Sequence, residues 1–266
     1  MKQRADSLLH QLGLAPSREQ AQRLIMAGRV YMDEVKVLKA AQQVEEDALL
    51  TVRGEEQAFA SRGAHKIEKA LTHFAADVEG LVCLDIGAAT GGFTDALLRR
   101  GAALVYAVDV GYGQLDWRLR QDERVVVMER CNARALTPQQ FPRKPRLTVM
   151  DVSFISIRLI LPVAAEIMGQ EGRFLTLIKP QFEAGKGQVG KNGVVREESI
   201  HQRVLQEIRD FCPGFGWHVQ GMTWSPIKGP KGNIEFLADI RPSAGKPPDD
   251  TDIAELVRQA HTQLRS

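Results

Sequence analysis

The sequence predicts an α/β fold: a mainly parallel seven-strand sheet with an antiparallel last strand, preceded by a small N-terminal α+β module. Three observations carry this. Short apolar runs alternate with helix-length segments between residues 82 and 178, the rhythm of a parallel sheet covered by helices. A glycine-rich turn, Ile86-Gly87-Ala88-Ala89-Thr90-Gly91-Gly92-Phe93-Thr94, follows directly on the first of those runs. The last two apolar runs, Trp217–Trp224 and Ile234–Ile240, have no helix-length segment between them and predict an antiparallel hairpin at one edge. Together these describe a Rossmann-like sheet.

The N-terminal module comes first. Leu8, Leu9 and Leu12 recur at helical spacing before Gly13, and Ser17 and Gln20 have the spacing of a capping box, opening a second helix that ends at Gly28. Arg29–Met32, the turn Asp33-Glu34, Val35–Val37 and Leu49–Val52 then predict a small sheet, so that residues 1–53 form one domain. The charged and small residues that follow make residues 54–60 a linker. In the large domain, residues 61–241, the parallel strands are Val82–Asp85, Leu104–Asp109, Val125–Glu129, Leu147–Asp151 and Phe174–Ile178. Residues 242–266 form a tail with a short amphipathic helix.

A chain of 266 residues suits two domains. At 44% hydrophobic and 26% charged it can bury a sizeable core, which excludes wholesale disorder. The net charge of +2 announces no nucleic-acid partner by itself, so any basic surface must be local. Cys83, Cys131 and Cys212 lie far apart without a C-x-x-C pair, and are expected as small buried hydrophobes in a reducing cytoplasm rather than as disulfides or metal ligands. Lys2, Arg4 and Asp6 interrupt any signal-like apolar run. Leu159–Met168, bounded by Arg158 and broken by Glu166, is too short to cross a bilayer and predicts a core helix. No membrane partner and no metal is expected.

The glycine-rich turn lets backbone approach a ligand, or serves turn geometry alone. Asp85 closes the first strand and Asp109 the second, about twenty residues beyond the turn, where a Rossmann-like domain puts a carboxylate on ribose hydroxyls. The helix after the turn lacks the Lys-Ser/Thr of a P-loop, which favours an adenosyl compound over a nucleoside triphosphate. Asn132, after the third strand, is placed either to bond an adenine edge or to form a turn. The expected cofactor contacts are Asp85, Gly87, Ala88, Gly91, Gly92, Phe93, Thr94, Asp109, Val110, Asn132 and Asp151.

The string from Asp85 to Asp95 resembles the first motif of FtsJ-like ribose methyltransferases, and especially the TlyA-like family, sometimes labelled haemolysins. The likeness extends through Ser61-Arg62-Gly63-Ala64-His65-Lys66, Asp151-Val152-Ser153-Phe154-Ile155-Ser156, the run from Ile178 to Gly185, and Ser225-Pro226-Ile227-Lys228-Gly229. The first fifty residues resemble the S-four-like RNA-binding fold. This resemblance implies S-adenosylmethionine as cofactor, 2′-O-methylation of ribosomal RNA or ribosomal subunits with cytidine as target, and Lys66, Asp151, Lys179 and Glu235 as the catalytic Lys-Asp-Lys-Glu set. In-line attack on a sulfonium methyl needs a held and partly deprotonated hydroxyl. By resemblance Lys179 is the base, Lys66 assists it, and the two carboxylates orient lysines and ribose.

Arg18, Arg23 and Arg29 are placed to fork phosphate oxygens, or simply to solvate a helix face. Arg62, Lys186, Lys191 and Lys228 extend the expected RNA contacts, the middle two in a glycine-bearing basic loop. Asp151-Val152-Ser153-Phe154 lacks the paired prolines of amino-methylating enzymes and contains no cysteine for covalent pyrimidine chemistry. Two other classes stand beside the enzyme: a non-catalytic RNA-binding assembly factor, and a cytolysin, which no spanning segment or amphipathic basic helix supports.

Overall fold

The computed structural model describes residues 2–33, 35–52, 59–185, 187–190, 192–243 and 245–264. The chain forms two compact units, residues 1–58 and 59–266.

In the first unit, β1 (Lys2–Arg4) leads into α1 (Ala5–Gln11) and α2 (Arg18–Met26), followed by β2 (Val30–Met32), β3 (Val35–Lys36), β4 (Gln43–Glu45) and β5 (Leu50–Val52). Ser17 caps α2 by accepting from the Gln20 amide at 3.2 Å, and Gly28 leaves the helix at φ +67°. The sheet expected from residues 29–52 forms in the order β3-β2-β5. A second antiparallel pair, β1 with β4, went unforeseen, because two three-residue strands rich in polar side chains show no alternation to read. Leu8, Leu9, Ile25 and Val30 fill the core. Beneath them Asp6, wholly buried, accepts from Arg4 Nε and Nη2 at 3.0 and 2.8 Å and from Gln22 Nε2 at 2.8 Å. Arg4 foremost, then Gln22 and Arg18, hold its carboxyl well below the usual carboxylate range despite burial. The anion therefore stabilises the fold above the unfolded-state value and ceases to do so as pH falls through the depressed one. Asp6→Asn is expected to cost this unit on the order of 1–3 kcal/mol at neutral pH. Faster amide exchange across residues 5–26 in the full chain, with the second unit unaffected, is the measurement that checks it.

The second unit runs α3 (Ala64–His73), β6 (Val82–Ile86), α4 (Gly92–Arg99), β7 (Leu104–Val108), α5 (Trp117–Gln121), β8 (Val125–Met128), β9 (Leu147–Met150), α6 (Leu161–Met168), β10 (Arg173–Ile178), α7 (Pro180–Glu183), α8 (Glu198–Phe211), β11 (His218–Trp224), β12 (Phe236–Arg241) and α9 (Asp250–Gln263). The sheet order is β11-β12-β10-β9-β6-β7-β8. β8, β7, β6, β9 and β10 pair in parallel, and β12 runs antiparallel to both β10 and β11. The hairpin is the expected one, with β12 inside the sheet and β11 at the edge. The inner strands feed two cores by the two-residue alternation of side chains. Leu84, Ile86, Met150, Phe174 and Ile178 join the layer containing α6, α8 and α9, whereas Cys83, Val149, Leu175 and Leu177 join the layer containing α3, α4 and α5. The core helix expected over 159–168 is α6 with the short turn before it. α9 is a 14-residue helix that buries Ile253, Val257 and Ala260 in the first of these layers.

Candidate active site

The path of the chain creates the site. From β6 it moves outward through β7 and β8, then returns to β9 and β10 on the other flank, so the connections that follow the parallel neighbours β6 and β9 run in opposite directions. At such a switch point the carboxyl ends of two strands open a crevice. Asp85 lies at the end of β6, and Asp151 follows β9 directly.

Four residues of the Lys-Asp-Lys-Glu set converge there. Lys66 Nζ donates to Glu235 Oε2 at 2.7 Å and lies 3.6 Å from Asp151 Oδ2, while Lys179 Nζ lies 2.6 Å from Asp151 Oδ1 and donates to Ser153 Oγ at 2.8 Å. The charges alternate as Glu235, Lys66, Asp151, Lys179 and cancel. Lys66, Lys179 and Glu235 are buried and Asp151 nearly so. Taking such groups out of water costs several kcal/mol per ion, and apolar side chains would hold a core as well. An arrangement that bears this cost at a strand-end crevice points to chemistry.

Each member is set by its own element. Lys66 sits in the first turn of α3, Lys179 caps α7, and Glu235 stands one residue before β12 rather than on it. Gly229 makes room for Glu235, since a Cβ there would come within 2.6 Å of Oε1. Asn233 pins the neighbouring loop, accepting from the Val195 amide at 2.9 Å and donating to the Gly193 carbonyl at 2.8 Å. Ser153 and Asn233 received no role from the sequence. Ser153 lies inside the motif that opens at Asp151, where its hydroxyl could have been marked; Asn233 is defined by partners about forty residues away, and nothing local marks it.

Phe154, after Ser153, is 92% exposed and takes the left-handed conformation at φ +64°. A bulky residue holds such a backbone only where its surroundings impose it. Its ring lies 5.2 Å from that of Phe182 on α7, tilted by 49°.

On the β6 side, alternation turns Asp85 toward α4, where the Thr94 hydroxyl donates to Oδ2 at 2.7 Å. Oδ1 is buried without a partner among the described residues. Burial, reinforced by the charges of Asp151 and Asp109, pushes this carboxyl up to about 7 against the Thr94 bond. A buried acceptor seeking a donor beneath a glycine-rich loop fits a ligand carrying polar hydrogens. Asp109 steadies the loop, accepting from the Ala89 amide at 2.9 Å and the Gly111 amide at 2.7 Å, each oxygen retaining further acceptor capacity. Val110 is exposed beside it. Asn132 accepts from the Arg134 amide at 3.1 Å, the turn-forming alternative, with its amide nitrogen the group left for a base edge.

The glycines answer to the protein itself. A Cβ on Gly87 would sit 2.6 Å from the Asp151 carbonyl, one on Gly91 2.2 Å from Leu119, and one on Gly92 2.2 Å from the Ser61 hydroxyl. The amides of Gly87 and Ala88 are both spent on the Val108 carbonyl. Phe93 and Thr94 lie behind the loop, Phe93 in the α3–α4 core and Thr94 against Asp85.

The expected RNA contacts divide between the units. Arg18 lies 3.6 Å from Asp6 and Arg23 pairs with Glu19 on the same helix. Arg29 and Lys228 are half-buried and Arg62 is exposed at the start of α3. Lys186, Lys191, the turn residue Glu34 and most of the 54–60 linker lie outside the described residues. Burial pushes the Cys83 and Cys212 thiols up to about 12 and raises that of Cys131, which leaves no ready thiolate for covalent catalysis.

Residues 59–240 match the FtsJ-like methyltransferase family. The chain belongs to that family. Residues 3–50 match the S4 domain. The chain is 45% identical to the Mycobacterium tuberculosis 16S/23S rRNA (cytidine-2′-O)-methyltransferase TlyA, over 97% of this chain and 96% of that one. It is 43% identical to Hemolysin A of Brachyspira hyodysenteriae, over 88% and 98% respectively. A Streptococcus thermophilus structure carrying a provisional hemolysin name superposes with a TM-score of 0.76 at 46% identity, covering 99% of this chain and 97% of that one. Among the described residues, no helix is long and apolar enough to cross a membrane, and no group of three or more His, Cys, Asp and Glu is placed to hold a metal ion.

Proposed function

We propose that this protein methylates a ribose 2′-hydroxyl of ribosomal RNA, cytidine being the target nucleoside, with S-adenosylmethionine as donor. The observation that carries the proposal is the alternating cluster of Glu235, Lys66, Asp151 and Lys179 at the switch point. Bound S-adenosylmethionine supplies an electrophilic methyl group. Asp85, Asp109 and Asn132, with the backbone around Ala88 and Val110, are the residues that would hold it.

Lys179 in its neutral form accepts the 2′-hydroxyl proton at Nζ as the oxygen attacks. Asp151, 2.6 Å away, stabilises the ammonium so formed. Lys66, held between Glu235 and Asp151, fixes the orientation of Asp151 and competes with Lys179 for it. Ser153 aims Nζ, and the four charged groups act as one coupled unit. The exposed Phe154 ring offers a face on which the target base stacks, as unpaired RNA bases do on aromatic side chains. Phe154→Ala is expected to raise KM for RNA about fivefold to a hundredfold, the equivalent of one stacking contact, with cofactor affinity unaltered. Steady-state kinetics with each substrate varied in turn check this.

Buried charges grouped at a crevice serve a reaction, and membrane lysis has no use for them. The deciding experiment is methyl transfer from labelled S-adenosylmethionine to unmodified small- and large-subunit RNA, followed by digestion and nucleoside mass spectrometry. A 2′-O-methylcytidine product supports the proposal. A base-methylated product overturns it, and cofactor binding without turnover favours an assembly factor.

A further inference from the structure

Glu183 is a buried carboxylate that has neither a proton-transfer nor a ligand-holding role in the methyl transfer proposed for Lys179 and Asp151. It ends α7, one turn beyond Lys179, yet both of its oxygens reach the loop that follows β9. Oε2 accepts from the Ser156 hydroxyl at 2.6 Å and Oε1 from the Ile157 amide at 2.8 Å. Arg158 closes the tie: its Nε lies 3.5 Å from Oε2, and its Nη2 donates to the Glu183 carbonyl at 3.2 Å.

Between Asp151 and this anchor lie Ser153 and Phe154, the residue with strained backbone. Between Lys179 and the anchor lies Phe182, whose ring meets that of Phe154. The two segments that face each other across the 2.6 Å Lys179–Asp151 contact are thus joined a second time through Glu183. Burial holds the carboxyl above its ordinary value, against the bonds from Ser156, Ile157 and Arg158. A neutral side chain would avoid that cost while accepting one of the two bonds.

We propose that Glu183 is a positioning residue for methyl transfer, its carboxylate clamping the Asp151–Ile157 loop to α7 so that Lys179 and Asp151 keep their mutual geometry. The proposal rests on the methyltransferase reading above. Glutamine retains one acceptor, which can serve Ile157. Its amide then meets a Ser156 oxygen already receiving the Arg158 amide and Nε at 3.2 and 3.3 Å, so the clamp loses one side.

The test uses the full chain with Glu183→Gln and, as a milder change, Ser156→Ala. Displacement of reacting groups by about an ångström costs up to about a hundredfold, so Glu183→Gln is expected to lower kcat about tenfold or more. KM for S-adenosylmethionine and Tm should stay at wild-type values, with Ser156→Ala showing the same split at smaller size. Hydrogen exchange of peptides covering residues 151–160 should accelerate in both variants while the rest of the second unit is unchanged. Unaltered kcat in a folded variant overturns the proposal. So does a kcat that falls in step with Tm and cofactor KM in both variants, the pattern of a purely structural tie. If the wild-type protein methylates no ribose, the reaction reading fails at that step. Exchange then still decides the clamp, and unaltered exchange across 151–160 overturns it separately.

Discussion

Lys179→Ala is expected to lower kcat by about a hundredfold to ten-thousandfold, the range over which a positioned general base acts. S-adenosylmethionine binding, measured by calorimetry, should fall far less, because the polar contacts of Lys179 are to Asp151 and Ser153 and not to Asp85, Asp109 or Asn132. Lys179→Arg separates two accounts of the same loss. Arginine keeps the charge but does not give up a proton at working pH, so it satisfies Asp151 without serving as a base. Both variants should be equally inactive. An arginine variant within tenfold of wild type would instead assign Lys179 an electrostatic role and require another group to take the ribose proton.

Asp85→Asn should give a more stable and less functional protein. The carboxyl is pushed up to about 7 in the fold and returns to an ordinary value near 4 when unfolded. Between those values the native state holds a proton that the unfolded state lacks, so stability falls as pH rises from about 4 to about 7 and is not regained above. Asparagine carries no charge to bury. At pH 8 the cofactor-free variant should be more stable by on the order of a few kcal/mol. With its one amide oxygen kept for the Thr94 hydroxyl, asparagine puts a donating NH2 where the unpartnered acceptor stood, so the thermal stabilisation produced by S-adenosylmethionine should shrink or vanish. Melting curves from pH 5 to 8 with and without cofactor test both halves. A variant melting at or below wild type at pH 8, with cofactor stabilisation undiminished, would contradict this role for Asp85.

The large sheet was legible because its strands are apolar runs four to seven residues long separated by helix-length segments, and the hairpin because no helix fits between its strands. The four charged residues were legible only through their motifs, since one lysine or aspartate at a strand end is ordinarily a surface charge. What escaped was relational. Asn233 is held by partners that only the fold brings close, and no local pattern marks it; Ser153 and Glu183 lie inside family motifs, but their partners too are supplied by the fold. The glycine-rich turn was found for a partial reason: Gly87, Gly91 and Gly92 are fixed by Asp151, Leu119 and Ser61, so the loop's shape is set by the protein around it. Phe93 and Thr94, contiguous in sequence with the glycine-rich turn, fall behind it because the helix begins at Gly92 and turns them inward.

The bond between Lys66 and Glu235 joins residues 169 positions apart. During synthesis Lys66, Asp151 and Lys179 are all made before their fourth companion exists, and until it arrives two lysines share a single carboxylate. Glu235 directly precedes β12, the last strand of the sheet in chain order and the neighbour of β10, so the strand that completes the sheet also brings the carboxylate that balances the cluster. A chain truncated before residue 235 therefore carries Lys66, Asp151 and Lys179 without the carboxylate to which Lys66 donates.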